Sequence, residues 1–153
     1  MNDIIDAWLI HNRINLYLLD AIDDGHLADL PTGSKGRTVG EVMAHIHNVR
    51  LMWLKVAWPA LHDKQNKIDK EEPITKTMLA DRLEESADAI AQLLEKGYTE
   101  GKIKGFKPHP SAFFAYLVSH ESHHRGQVAL ALKQSGHKLD QKVSYGMWEW
   151  GSR

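Results

Sequence analysis

The sequence predicts an all-α protein built as a four-helix bundle. Four stretches carry apolar residues at helical spacing and are separated by glycine and proline, and no stretch alternates apolar and polar residues over more than a few positions. The chain has 153 residues, a length that fits one domain with its own core. Four helices of similar length joined by connections of moderate length are typical of a bundle.

The first two helices are indicated by the residues at their ends. The first is expected over residues 3–24, with Gly25 as its stop. The second begins at the clearest local signal in the chain, where Thr38 and Glu41 fit a capping box: the Thr hydroxyl and the Glu carboxylate each accept a hydrogen bond from an otherwise unpaired backbone N–H. From there apolar residues continue to about Trp58.

The third and fourth helices show similar signals. Thr75 or Thr77 can cap the third helix, which is expected to stop at Gly97. The fourth is expected over residues 111–134 or 111–135, with Ser111 as its cap and Gly136 closing it. The tail, residues 143–153, is rich in aromatic residues, which predicts a short ordered C-terminal segment. The five tryptophans of the chain are expected in the core or on a dimer face.

Composition excludes several classes of function. The chain has no cysteine, which excludes disulfides, thiolate–metal sites and catalytic thiols. Its longest apolar run, residues 112–118, is far shorter than the about 20 residues of a membrane span. The formal net charge of −1 argues against nucleic acid or a membrane surface as a partner. We therefore expect a cytoplasmic protein.

Ten histidines are the most unusual feature of the composition. His120 and His124 are four positions apart in the fourth helix and therefore lie on one face, one turn apart. Buried imidazoles need partners, since an unsatisfied polar group in a core costs about 1–3 kcal/mol. The spacing leaves two interpretations open: a metal shared by both rings, or hydrogen bonds to buried carboxylates or carbonyls.

The remaining histidines divide into two groups. His45 and His47 lie in the second helix, which is apolar almost all round, so periodicity does not choose which of them faces the fourth helix. His123 is expected to flank a site at His120 and His124. The other five are expected to be solvated or capping residues: His11, His26, His62, His109 and His137.

Residues 120–124 also match the H-E-x-x-H pattern of zinc peptidases, in which the glutamate is the general base. Glu149 could then serve as a third ligand. The missing strand signal opposes this interpretation, because such peptidases align their substrate along a sheet edge. For Glu121 we expect a supporting or surface role rather than that of a base.

Three segments together resemble the DinB family of the DinB/YfiT-like superfamily: residues 38–54 (TVGEVMAHIHNVRLMWL), 119–127 (SHESHHRGQ) and 145–151 (YGMWEWG). The resemblance covers nearly the whole chain and implies one DinB-like domain over residues 1–153. Members of the family are four-helix bundles, commonly homodimers, with a metal bound by three histidines. Carried over to this sequence, the resemblance implies His45, His120 and His124 as the metal ligands.

The resemblance also implies a class of chemistry. Three imidazoles leave open positions on a metal, as in catalytic zinc sites, and they suit zinc first and nickel second. Relatives of the family include thiol-dependent transferases. This chain would then act on a small electrophilic molecule, with a low-molecular-weight thiol as cosubstrate. A metal-binding stress protein without catalysis is the alternative.

Neighbouring side chains are candidates for supporting roles. Arg125 and Gln127 are expected to orient groups near the site. Glu41, one turn before His45, could orient that imidazole, or it could be occupied by the capping box.

Overall fold

The computed structural model describes residues 2–33 and 35–153. Four of its helices are long: α1 (Asn2–Asp20), α2 (Val39–Ala57), α4 (Lys76–Glu100) and α5 (Pro110–Gln134). The helices α3 (Pro59–His62) and α6 (Gln141–Gly146) are short, and 3-10 helices span Asp24–Ala28 and Trp150–Ser152. The described part of the chain contains no β-strand, only an isolated bridge between Ile103 and Phe106. The prediction of an all-α bundle is confirmed.

The four long helices enclose a continuous apolar interior. Both α1 and α2 pack against α4 and α5. One end of the core is built around residues such as Leu18, Met43 and Leu83, and the other around Trp8, Leu54 and Phe113. No helix in the described ranges is long and apolar enough to cross a membrane.

Side-chain caps fix the starts of α2 and α4. The capping box is formed as expected: Glu41 N donates to Thr38 Oγ1 at 3.2 Å, and Thr38 N donates to Glu41 Oε2 at 2.7 Å. Thr75, the first of the two expected candidates, caps α4 by accepting from Met78 N at 3.2 Å. These bonds satisfy backbone N–H groups that no helical carbonyl can reach.

The first helix is shorter than expected. It ends at Asp20 rather than residue 24, and Gly25 lies inside the following 3-10 helix instead of terminating α1. After the turn, Ile22 and Leu27 are both buried in the bundle interior.

The third long helix passes the glycine at which it was expected to stop. Gly97 is buried within α4, and a Cβ there would clash with the side chain of Ile103. The helix continues to Glu100 and ends at Gly101, whose φ of 74° is left-handed. Gly97 therefore permits close packing, while Gly101 supplies the backbone conformation of the terminus.

The fourth long helix begins one residue before the expected cap. His109, not Ser111, is its N-cap, and His109 Nδ1 accepts a hydrogen bond from Ala112 N at 3.2 Å. Pro110 occupies the first helical position, where its missing N–H is no disadvantage. Ser111 Oγ instead accepts from the Tyr98 hydroxyl at 2.7 Å. The helix ends at Gln134, as expected.

The C-terminal segment is ordered against α1. The Arg153 guanidinium donates to Gly146 O and stacks over the Tyr17 ring, 3.7 Å from its centroid. The tryptophans differ widely in burial, since Trp8 is fully buried whereas Trp148 is 80% exposed. The expectation that the tryptophans lie in the core or on a dimer face is therefore met in the core by Trp8. Trp148 lies on the surface.

Candidate metal centre

The helices α2 and α5 bring three histidines to one point. His45 comes from α2, while His120 and His124 come from successive turns of α5. One nitrogen from each ring lies within 4.8 Å of the other two. The ring centroid of His45 lies 4.7 Å from that of His124 and 5.5 Å from that of His120. The structure thus brings together the three residues that the resemblance implied as ligands.

A glutamine fixes the orientation of one ring. His124 Nδ1 donates to Gln127 Oε1 at 2.8 Å, so the lone pair of His124 is on Nε2, which faces the cluster. The Gln127 amide in turn donates to His123 Nε2 at 3.1 Å. Gln127 thus makes the contact expected of a residue that orients His124, and His123 flanks the cluster through this amide.

The nitrogens of the cluster fit a divalent cation. His120 Nε2 lies 3.0 Å from His124 Nε2, and among the described residues the buried His120 Nδ1 has no hydrogen-bond partner. Because the lone pair of His124 Nε2 faces the cluster, His120 Nε2–H can donate to it, and a bound cation would instead be held by the lone pairs of the rings. Three neutral imidazoles suit zinc or nickel, with positions left for other ligands. His45, His120 and His124 would hold the ion.

Burial keeps these imidazoles neutral. It lowers the pKa of His45 to about 4, with further contributions from the positive charge of Arg37 and from the other two rings. Burial also lowers the pKa of His120 and of His124 below the ordinary value. Neutral rings are the form that binds a metal, so protons compete weakly for the cluster near neutral pH.

Glu121 belongs to a different cluster. Its side chain is buried, and its carboxylate accepts two hydrogen bonds from Arg50, both at 2.8 Å. His11 Nε2 and Asn15 Nδ2 donate to the same carboxylate at 2.9 and 2.7 Å. Burial alone would raise the pKa of the Glu121 carboxyl, but the charge and hydrogen bonds of Arg50 and the hydrogen bond of His11 bring it below its usual range.

This placement corrects two expectations. A surface role for Glu121 was wrong, because the carboxylate is in the interior between α1, α2 and α5. A solvated His11 was also wrong, since its side chain is fully buried. The base of an H-E-x-x-H site must face the metal, whereas both Glu121 oxygens are occupied by other residues. Glu149 is exposed, lies 3.7 Å from Arg153 and is outside the histidine cluster.

Sequence reasoning missed Arg50, the main partner of Glu121. Its Nη1 also donates to Leu83 O at 2.8 Å and to Ser86 Oγ at 3.2 Å. A charged residue in a helix that is otherwise apolar almost all round was a signal that a buried acidic partner exists. Arg125 was expected to orient groups near the histidine site, but it donates to Asn15 Oδ1 at 2.6 Å, beside the Glu121 cluster.

The other candidates lie outside the cluster. His47 is buried, and its Nε2 donates to Asn66 O at 2.9 Å. Glu41 is engaged in the capping box, and none of the hydrogen bonds within the described ranges joins it to His45. His109 caps α5, as a capping role predicted. His26 and His137 stack with centroids 3.5 Å apart.

A cavity opens beside the cluster. It has a volume of about 650 Å³, and His45 forms part of its wall. A second hollow of about 310 Å³ lies on the side of Gln127. Arg37 lines both cavities. Small molecules could therefore approach the histidine cluster from solvent.

Comparison with known proteins identifies the family. The sequence model of the DinB family matches residues 1–146, which is most of the chain. This chain belongs to the DinB family. The match includes all three histidines of the cluster and every long helix of the bundle.

Solved structures give the same fold for this DinB protein. A DinB-like protein from Bacillus cereus ATCC 10987 is 21% identical, with a TM-score of 0.72 over 92% of this chain and 95% of the other. The DinB-like protein YjoA from Bacillus subtilis is 22% identical, with a TM-score of 0.64 over 90% of this chain and 96% of the other. A search of curated proteins gave no match. At these identities the similarity extends to the fold.

Proposed function

We propose that this DinB protein is a metal-dependent enzyme that transfers a thiol to a small electrophilic molecule. Its divalent cation, zinc first and nickel second, would be held by His45, His120 and His124. The observation that carries the proposal is the convergence of three neutral imidazole nitrogens within 4.8 Å beside an open cavity. A structural zinc site would instead be closed by four protein ligands.

The metal, when bound, supplies Lewis acidity that favours a thiolate over a thiol near neutral pH. The residues of the chain supply the rest. Gln127 keeps the Nε2 lone pair of His124 directed at the cluster, and burial keeps all three rings deprotonated. The chain contains no cysteine, so the thiol enters as a low-molecular-weight cosubstrate. The cavity at His45 is the space for that thiol and the electrophile.

The metal site is tested by elemental mass spectrometry on untagged protein purified without chelator. We expect about one metal per chain in the wild type and loss of it in His45→Ala and in His124→Ala. His62→Ala is the matched control and should retain the metal, because the His62 side chain lies at the end of a short helix, hydrogen-bonds to Asp63 and is outside the histidine cluster. Retention of metal in both cluster variants would contradict the proposed ligand set.

Catalysis requires a separate test. Metal-loaded protein is incubated with a small thiol and an electrophilic aryl halide, and conjugate formation is compared with that of His45→Ala. Metal-dependent turnover is the expected result. Stoichiometric metal without turnover for any of several thiols and electrophiles would favour the non-catalytic metal-binding protein.

We also propose that two copies of the chain associate. An apolar hollow of about 320 Å³ lies between α5 and the C-terminal segment, with Val118, Ala129, Met147 and Trp148 in its wall. Because Trp148 is 80% exposed beside this hollow, a second copy would bury a large aromatic side chain. Light scattering should give the mass of a dimer for the wild type and a shift toward monomer for Trp148→Ser. A monomeric wild type would contradict this assignment.

A further inference from the structure

The wall of the larger cavity is strongly cationic. Its charged lining residues are four cations and two acids: Lys35, Arg37, Lys67, Lys70, Glu41 and Asp69. The whole chain, by contrast, has a formal net charge of −1. Positive charge is therefore concentrated at the entrance to the histidine cluster, where it raises the local concentration of anions.

The two acids of the wall are already engaged. Glu41 Oε2 accepts from Thr38 N at 2.7 Å in the capping box. Asp69 Oδ1 lies 3.5 Å from Lys67 Nζ, so this pair offsets one of the four cations of the wall. Arg37 takes part in none of the ion pairs formed within residues 2–33 and 35–153. Its guanidinium thus has donors available for an anion from solution.

Arg37 is close to the proposed reaction centre. It lines both hollows, and its positive charge contributes to the lowered pKa of His45 and of His124. A ligand held by this guanidinium in the larger cavity would share that cavity with His45.

The part of the wall formed by Lys67 and Ile68 is held in place by α2. Asn48 forms two hydrogen bonds with the backbone of Ile68, donating to its carbonyl at 2.8 Å and accepting from its N–H at 3.0 Å. His47 donates to Asn66 O. These bonds fix the segment that carries Lys67, while the buried side chain of Ile68 adds an apolar surface to the wall. Cations and apolar surface together suit an organic anion.

We propose that this cavity binds the carboxylate of a small-molecule substrate, with Arg37 as its principal anchor. This inference rests on the proposed function and names the class of its substrate. The planar guanidinium accommodates a carboxylate through two parallel hydrogen bonds. The carboxylate belongs either to the thiol or to the electrophile, and the experiment below separates these sources.

The probes are 3-mercaptopropionate and 3-mercapto-1-propanol, which differ in the carboxylate. Their binding to metal-free protein is measured by chemical-shift titration. We expect the carboxylate to bind about tenfold more tightly to the wild type, as charge-assisted hydrogen bonds allow. This preference should disappear in Arg37→Gln and persist in Arg13→Gln. Arg13 is a matched control because it is exposed, lines neither hollow and donates to Arg153 O.

The same titration on cobalt-loaded protein follows the sulfur-to-cobalt charge-transfer absorption. A band that appears at lower concentration for the carboxylate probe assigns the carboxylate to the thiol. If the carboxylate probe binds more tightly but no sulfur-to-cobalt band appears, the cavity site is supported and the carboxylate is assigned to the electrophile. Equal binding of both probes to the wild type, or a preference that survives in Arg37→Gln, overturns the proposal.

The two proposals fail in different ways. If cobalt does not bind, the proposed metal-dependent function is wrong, yet the titration of metal-free protein still decides the role of Arg37. Circular dichroism of both arginine variants verifies that each retains the helical fold.

Discussion

His120 and Glu121 are neighbours on α5, yet they belong to opposite kinds of polar cluster. The carboxylate of Glu121 receives four hydrogen bonds from Arg50, His11 and Asn15. His120 Nε2 instead faces His124 Nε2, and its buried Nδ1 has no partner among the described residues. One residue of separation turns a side chain by about 100° around a helix, which directs these two side chains to different regions.

The two clusters differ in whether their polar atoms have hydrogen-bond partners within the protein. Around Glu121 the charges and hydrogen bonds are complete, so that cluster joins α1, α2 and α5 and needs no further ligand. At the histidine cluster the ring nitrogens converge on one another beside a cavity, and the buried His120 Nδ1 has no partner among the described residues. A complete buried network indicates a structural role, whereas convergent lone pairs at an open cavity indicate a binding site.

The largest expected effect on stability comes from disrupting the cluster around Glu121. Glu121→Ala leaves the Arg50 guanidinium buried without its counter-charge, which should lower the free energy of unfolding by about 3–5 kcal/mol. Urea denaturation measures this loss. The exposed Glu84→Ala is the control and should change stability by less than about 0.5 kcal/mol. A loss below about 1 kcal/mol for Glu121→Ala would contradict the structural role.

A substitution at the histidine cluster should change metal affinity rather than the free energy of unfolding. Gln127→Ala removes the acceptor of His124 Nδ1–H, and loss of such a group weakens metal affinity by about 10–100-fold. Zinc competition with a chromophoric chelator measures it, with the exposed Gln92→Ala of α4 as the control. If Gln127→Ala binds zinc as tightly as Gln92→Ala does, the amide does not orient the ligand.

The lowered pKa values predict how the metal site responds to acid. Three histidines with ordinary pKa values near 6.5 would lose about 30-fold in zinc affinity between pH 7 and pH 6 through proton competition. The pKa of His45 is about 4, and those of His120 and His124 are also lowered. We therefore expect a loss several times smaller over this interval, with the steeper fall at more acidic pH. Zinc affinity measured at both pH values tests this, and a full 30-fold loss would contradict it.

The smallest effect distinguishes capping from ligand orientation at Glu41. Glu41→Ala removes half of the capping box and should lower the free energy of unfolding by about 1 kcal/mol. Zinc affinity should remain within about twofold of the wild type. Glu41→Gln, which can still cap, should also leave zinc affinity unchanged. A 10-fold loss in Glu41→Gln would instead assign the carboxylate to His45.

Local chemistry made much of the fold predictable. The capping box at Thr38 and the cap at Thr75 are encoded within a few residues, so the starts of α2 and α4 could be read directly. The helix ends predicted at Gly25 and Gly97 were wrong, because a glycine marks a helix end where its backbone is left-handed, as at Gly101. At Gly97 the requirement was space for Ile103, a residue that tertiary packing brings close.

The sequence by itself determined the all-α class, the four long helices and the shared face of His120 and His124, because these depend on helical periodicity and local caps. The choice of His45 came from resemblance, since α2 is apolar on nearly every side. Only the tertiary structure decided that Glu121 joins Arg50 and His11, and that Arg37 lines the same cavity as His45. These contacts unite residues far apart in the chain, and helical periodicity carries no information about which face of one helix meets another.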